Sequence, residues 1–188
     1  MALPMKTSVS GKNIIKALHD VAAEYYADPE LAGAGCVTVG VKLGGARIKN
    51  ARIDDGFERT CYVGVSGEAG RDLLRSNLVL DGAVAADTTR NDLVGLLQTM
   101  AGLLVKYQSS SKGTAVRQQE NWVAHNCAES NLALYLYKSG ADMSQVTIAS
   151  YEKAGNQVRY KPLCHNCAQW VRQHFKVLTG FDDAVKTV

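Results

Sequence analysis

Apolar positions along the chain follow two rhythms, and the switch between them marks the elements. From residue 12 to 26, Ile14, Ile15, Leu18, Val21, Ala22 and Tyr25 recur with a helical period. Ser10-Gly11 can open that helix and Asp28-Pro29 stops it. Residues 36–43 (CVTVGVKL) and 60–66 (TCYVGVS) are β-rich and predict two neighbouring strands, antiparallel, with Gly44-Gly45 and Asp55-Gly56 as turn signals between them. Residues 68–107 predict helix, with the clearest stripe at Leu93, Leu96, Leu97, Met100, Leu103 and Leu104. A polar loop follows at 108–114 (QSSSKGT). Residues 127–138 (CAESNLALYLYK) predict a helix closed by Gly140, and 145–151 (QVTIASY) a strand. After a turn at Ala154-Gly155-Asn156 come a short return strand at 157–161, a helix at 164–178 closed by Gly180, and a last short strand at 184–188.

The chain has 188 residues, 46% of them hydrophobic, enough for one full core. A single domain over 1–188 is expected, with 67–119 a helical insertion before the first motif described below. The net charge of +3 is mild, and no Lys/Arg-rich run argues for a nucleic-acid partner. Arg47, Lys49 and Arg52 read as a solvated loop rather than a phosphate patch. The opening MALPMKTSVSGK lacks the apolar core of a secretory signal, and the most apolar run, 93–104, is too short to span a bilayer. These features predict a soluble protein without a membrane partner, cytoplasmic or delivered as an effector without a classical signal peptide. Five cysteines is an odd number, and three of them have ligand-like spacing, which favours thiolates or metal over disulfides. Cys36 and Cys61 read as buried strand thiols, with a disulfide between them as the alternative.

His-Asn-Cys occurs twice, at His125-Asn126-Cys127 and His165-Asn166-Cys167. Asn126 is expected to N-cap the 127–138 helix, with Glu129 at the capping-box position. Cys127 would then lie in the first turn, where the helix dipole and free N–H groups favour a thiolate. Cys164 and Cys167 sit three apart at the start of the second helix, on one side of a turn. Three thiolates at two helix starts suit zinc, whose catalytic sites keep three protein ligands and an open fourth position that acidifies water. Glu129, close to Cys127, is placed for general acid–base work. His125 is open to three readings: a fourth ligand closing a structural Cys3His site in a non-enzymatic binding module, a pocket residue, or an ordinary polar one. Trp122 either stacks on a base or packs under the helix, and His165 orients the turn between the ligands. Trp170, Phe175 and Leu178 fall on one stripe of the second helix and read as core. A redox role for Cys164/Cys167, or a nucleophilic Cys127, is the remaining alternative.

Cys127-Ala128-Glu129, followed by Pro162 and Cys164-His165-Asn166-Cys167, resembles the cytidine deaminase superfamily, whose signature is His or Cys, Ala, Glu, then Pro-Cys-x-x-Cys. Pro162 stands one residue early. The resemblance implies a three-layer α-β-α fold with a central mixed sheet of about four strands. It implies zinc on Cys127, Cys164 and Cys167, Glu129 as proton shuttle, and the backbone at Ala128 holding the base. The reaction would convert a nucleobase amine, cytosine by family prevalence, to a carbonyl with loss of ammonia. The substrate could be free, in a nucleoside or nucleotide, or within DNA or RNA. The minimal core with a helical elaboration is similar to bacterial toxin-type deaminases. A neighbouring copy could complete the pocket.

Overall fold

The computed structural model describes residues 3–10, 13–43, 48–49, 52–53, 58–106 and 120–178. In chain order the elements are β1 (Lys6–Val9), α1 (Ile14–Ala27), β2 (Val37–Lys42), β3 (Ile48–Lys49), β4 (Arg52–Ile53), β5 (Arg59–Val65), α2 (Gly67–Leu80) and α3 (Arg90–Lys106). There follow α4 (Ala128–Lys138), β6 (Val146–Ala154), β7 (Gln157–Lys161), α5 (His165–Ala168), α6 (Val171–His174) and β8 (Lys176–Val177). One sheet runs β1-β5-β2-β6-β7, antiparallel throughout, and β8 joins β6 in parallel. Strands β3 and β4 form a separate small hairpin over the region that holds Lys49 and Arg52.

Strand alternation divides the sheet into two apolar faces, which explains the layers. Val37, Val39 and Val41 pair with Tyr151, Ala149 and Thr147. This face meets α1, whose stripe of Ile14, Leu18, Val21, Ala22, Tyr25 and Tyr26 is buried. Tyr26 Oη donates to the Tyr151 carbonyl at 3.0 Å, and the His19 ring meets the Tyr151 ring edge-on. The opposite face carries Thr38, Gly40, Tyr62, Gly64, Ile148 and Ser150, and α4 lies on it, with Tyr135 against Tyr62. Helices α2 and α3 cover α4 from outside, so Ala128 to Leu136 is buried on every side of the helix. The result is a helix–sheet–helix arrangement with a double outer layer on the α4 side.

Several expectations need correction. The sheet has six strands rather than about four. The extra edge strand β1 is polar except at Val9, so its alternation gave no apolar signal; α2 holds the segment before it through Asn77, which accepts from Met5 N and donates to Leu3 O. The helical stretch expected over 68–107 is helical as two separate helices, α2 and α3. The turn at Asp81-Gly82 ends the first, with Gly82 at a positive φ of 66°, and a reciprocal Thr89–Asp92 cap starts the second. The 164–178 helix breaks at Trp170 and ends before Phe175. The chain then straightens into β8, where Leu178 N donates to Ile148 O at 2.9 Å. Trp170 and Phe175 are still core, their rings meeting edge to face, but not as a helical stripe. Cys36 and Cys61 cannot form a disulfide: Cys61 lies opposite Val41 on the α1 face, whereas Cys36 lies at the far end of β2 on the α4 face. The loop 108–114 and the strand expected at 184–188 lie outside the described residues. No helix among the described residues is long and apolar enough to cross a membrane.

Candidate metal centre

Two helix starts meet at the α4 face of the sheet. Cys127 has extended backbone and is itself the N-cap of α4; Cys164 is the N-cap of α5. Asn126 is therefore not the cap. It ends a 3₁₀ turn at Ala124–Asn126, and its Oδ1 accepts from Arg71 on α2. Glu129 does not close a capping box either, because its side chain points inward.

Cys127, Cys164 and Cys167 bring their sulfurs within 4.8 Å of one another, with Cys127 and Cys164 3.6 Å apart. A tetrahedron with zinc–sulfur arms of about 2.3 Å has sulfur–sulfur edges of about 3.8 Å. The triangle matches that geometry after small adjustments, and it is far too wide for a disulfide, whose S–S bond is about 2.05 Å. The donor set fits zinc: three soft ligands, two buried and one half-buried. His125 stands outside the group, so among the described residues no fourth protein ligand closes the site. Burial, and then the Arg71 charge, lowers the His125 pKa.

Cys164 is pushed far below the usual thiol range, first by the hydrogen bond it shares with Cys127, then by the nearby Cys167 thiol and the backbone N–H groups of Cys167 and Asn166. Cys127 is pushed up, first by its contact with Cys164, and Cys167 first by its contact with Cys127. A cation would replace the thiol protons and draw all three sulfurs to the thiolate form.

Glu129 is buried beside this triangle, 3% exposed. Its Oε2 accepts from Cys167 Sγ at 3.3 Å and its Oε1 from Ser150 Oγ at 2.8 Å. Burial raises its pKa, against the lowering by its own backbone N–H and by Ser150. A cavity of about 320 Å³ opens in front. Glu129, Cys127 and Cys164 line it together with Trp122, Asn126, Pro162, Gly35, Cys36, Ser66, Gly67 and Lys161. Its size falls at the lower end of the range for small-molecule sites, about 300–1,000 Å³.

The other expected residues resolve individually. Trp122 lines the cavity and is 41% exposed, so it does not pack under α4. Asn166, fully buried between the ligands, donates to the Trp122 carbonyl at 2.7 Å and fixes that segment. His165 is exposed; its backbone N–H and its Nδ1 both meet Glu120 Oε1 at 2.9 Å. Ala128 is fully buried, with its carbonyl turned toward β5 at Gly64.

Sequence reasoning missed Cys36, Ser150, Thr38 and the Arg71–Asn126 contact. Cys36 read as an inert thiol, yet it borders the cavity, and burial, then the nearby Glu129 charge, pushes its thiol up. Thr38 and Ser150 are polar residues within apolar strands, and that anomaly was the available signal. Comparison with family models, with curated proteins and with solved structures finds no match to this chain, and its function is therefore argued from its own residues.

Proposed function

We propose that the chain is a zinc-dependent hydrolytic deaminase of a nucleobase, cytosine first, related to the cytidine deaminase-like enzymes its motifs resemble. The observation that carries this reading is a buried carboxyl, Glu129, touching a triangle of three thiols, two of which line an open cavity together with it. Zinc, when bound by three thiolates with one position open, supplies Lewis acidity that brings the pKa of water toward neutrality.

The protein residues do the rest. Cys127, Cys164 and Cys167 would hold the ion beside the cavity, which the first two line. Glu129 takes a proton from the attacking water and delivers it to the departing nitrogen, so that water and a ring amine become a ring carbonyl and ammonia. Its raised pKa suits both halves of that task, since a carboxyl poised closer to neutrality both accepts and releases a proton. Trp122 and Pro162 offer flat apolar walls to a planar ring. Arg71 occupies Oδ1 of Asn126, which leaves the Asn126 amide N–H groups to meet an acceptor in the cavity.

Mass spectrometry of zinc-loaded protein tests the reading. The substrates are cytosine, cytidine, deoxycytidine and their monophosphates, the adenine and guanine counterparts, DNA and RNA. The expected result is an amine-to-carbonyl mass change on at least one substrate that disappears in Glu129→Gln. Folded, zinc-loaded protein that converts none of them would sink the proposal and favour a structural zinc.

A further inference from the structure

Beside Glu129, a line of buried hydroxyls runs from β6 to β2 on the α4 face of the sheet. Ser150 on β6 donates to Glu129 Oε1 at 2.8 Å. Thr38 on β2, its partner in strand register, lies 2.8 Å from the Ser150 hydroxyl. Cys36 Sγ, on the cavity wall, is 3.9 Å from the Thr38 hydroxyl. Thr38 is fully buried and Ser150 is 3% exposed. Each hydroxyl has one proton to give. Ser150 spends its proton on Glu129, so the Thr38 proton must go to Ser150, and Thr38 in turn accepts from the Cys36 thiol. Every proton in the line therefore points toward Glu129.

Glu129 thus has two side-chain donors among the described residues, Cys167 on Oε2 and Ser150 on Oε1. Cys167 belongs to the thiol triangle, so Ser150 is the one that ties the carboxyl to the sheet independently of the metal ligands. We propose that Ser150, backed by Thr38, is the positioning residue that fixes the Glu129 carboxylate for proton transfer, and that the two hydroxyls act in series. This inference rests on the deaminase reading and goes beyond it: neither residue belongs to the cysteine–glutamate motif.

The test uses the full zinc-loaded chain and the variants Ser150→Ala, Thr38→Val, Thr38→Ser and the double Ser150→Ala/Thr38→Val, each checked for zinc content. Misplacing a reacting group by an ångström costs about a hundredfold in rate. Ser150→Ala is accordingly expected to lower kcat about a hundredfold with KM little changed, and the near-isosteric Thr38→Val about tenfold. Thr38→Ser, which keeps the hydroxyl, should stay near wild type. Residues acting in series do not multiply, so the double variant should be no worse than Ser150→Ala alone. Multiplying losses, or a Ser150→Ala enzyme with wild-type kcat, would overturn the proposal.

A second readout needs no turnover. Carboxyl resonances of protein carrying carbon-13 labelled glutamate, with the Glu129 signal identified by its loss in Glu129→Gln, should shift in Ser150→Ala and shift less in Thr38→Val. An unmoved signal would overturn the proposal even in an active enzyme. A shifted signal in a protein that deaminates nothing would retain the hydroxyl line and discard the deaminase reading. Thr38→Val preserves core volume and keeps both tests available if Ser150→Ala fails to fold.

Discussion

Alanine at Gly64 should do more damage than its one added methyl suggests. Gly64 sits on β5 directly beneath α4. A Cβ built there would lie 2.3 Å from the Ala128 carbonyl oxygen and 2.7 Å from both the backbone nitrogen and Cβ of Leu132. Ordinary carbon–oxygen contacts begin at about 3.3 Å, so α4 must retreat by about 1 Å. None of the three obstacles is the end of a flexible side chain, and no rotamer change relieves them. Overpacking of a filled core costs about 1–3 kcal/mol, and a clash against backbone belongs at the top of that range. In urea, where small proteins have slopes of about 1–3 kcal/mol/M, the midpoint should fall by at least about 1 M. The displaced segment begins with Cys127 and Glu129, so zinc affinity should fall as well. Gly95→Ala is the control. Gly95 is exposed within α3, with no atom within 4 Å of a new Cβ. There, alanine should stabilise by about 0.5–1 kcal/mol through backbone entropy. A Gly64→Ala midpoint equal to wild type, or a Gly95→Ala shift downward as large, would refute the argument that close β5–α4 contact builds the site.

Removing zinc with a strong chelator should lower the melting temperature, because a ligand present at about a thousandfold over its Kd stabilises by about 4 kcal/mol. Adding zinc back should release protons, since the thiols of Cys127 and Cys167 are pushed up and must deprotonate to ligate. Unchanged melting and no proton release, followed by calorimetry in buffers of different ionisation heat, would reject the metal site. Glu152→Gln tests the β6–β7 hairpin that carries Lys161 to the cavity. Burial raises the Glu152 pKa, but Arg159 and Lys161 outweigh it, and the net shift is downward. A lowered folded pKa means the unfolded chain binds more protons. The stabilisation is then present above the unfolded value of about 4.3 and lost as pH falls through the folded one. For a partly exposed pair the deficit of the variant should be below about 1 kcal/mol at neutral pH and vanish in acid, as read from paired thermal melts.

The strands and helices with strong periodicity were legible: α1, β2, β5, α4, β6 and β7 fall within a few residues of their expected places. The misses have physical causes. Strand β1 shows one buried side chain and is specified by its pairing with β5 and by Asn77, neither of which leaves a local pattern. Strand β8 is two residues long, and Phe175-Lys176-Val177 suits a helix as well as a strand until Ile148 offers its carbonyl. The Asp81-Gly82 turn and the Thr89-x-x-Asp92 cap were local signals, overridden by the continuous apolar stripe on either side. At the site, cysteine spacing located the thiol triangle because helix geometry alone relates Cys164 to Cys167. The surroundings of Glu129 left only one trace, polar Ser150 and Thr38 within apolar strands, because register alone brings Ser150 to Glu129 and Thr38 to Ser150.

The burial pattern bears on whether this end of the sheet is merely structural. Thr38, Ser150, Glu129, Asn131 and Asn166 are all buried within or next to the α4 face. Burying a carboxyl costs several kcal/mol unless charge or hydrogen bonds offset it, and an apolar replacement in a purely structural core is often the more stable choice. Lys161, the lysine bordering the cavity, is engaged with Glu152 and the Gly35 carbonyl. Three thiolates and a carboxylate packed together would repel one another strongly at low local dielectric. Protons on Cys127 and Cys167 relieve that repulsion in one state of the site, and a divalent cation relieves it in the other. An arrangement that must hold either protons or a cation, and that faces an open cavity, is expensive to keep for packing alone. It gains a purpose when the exchange of protons at that cavity is the chemistry.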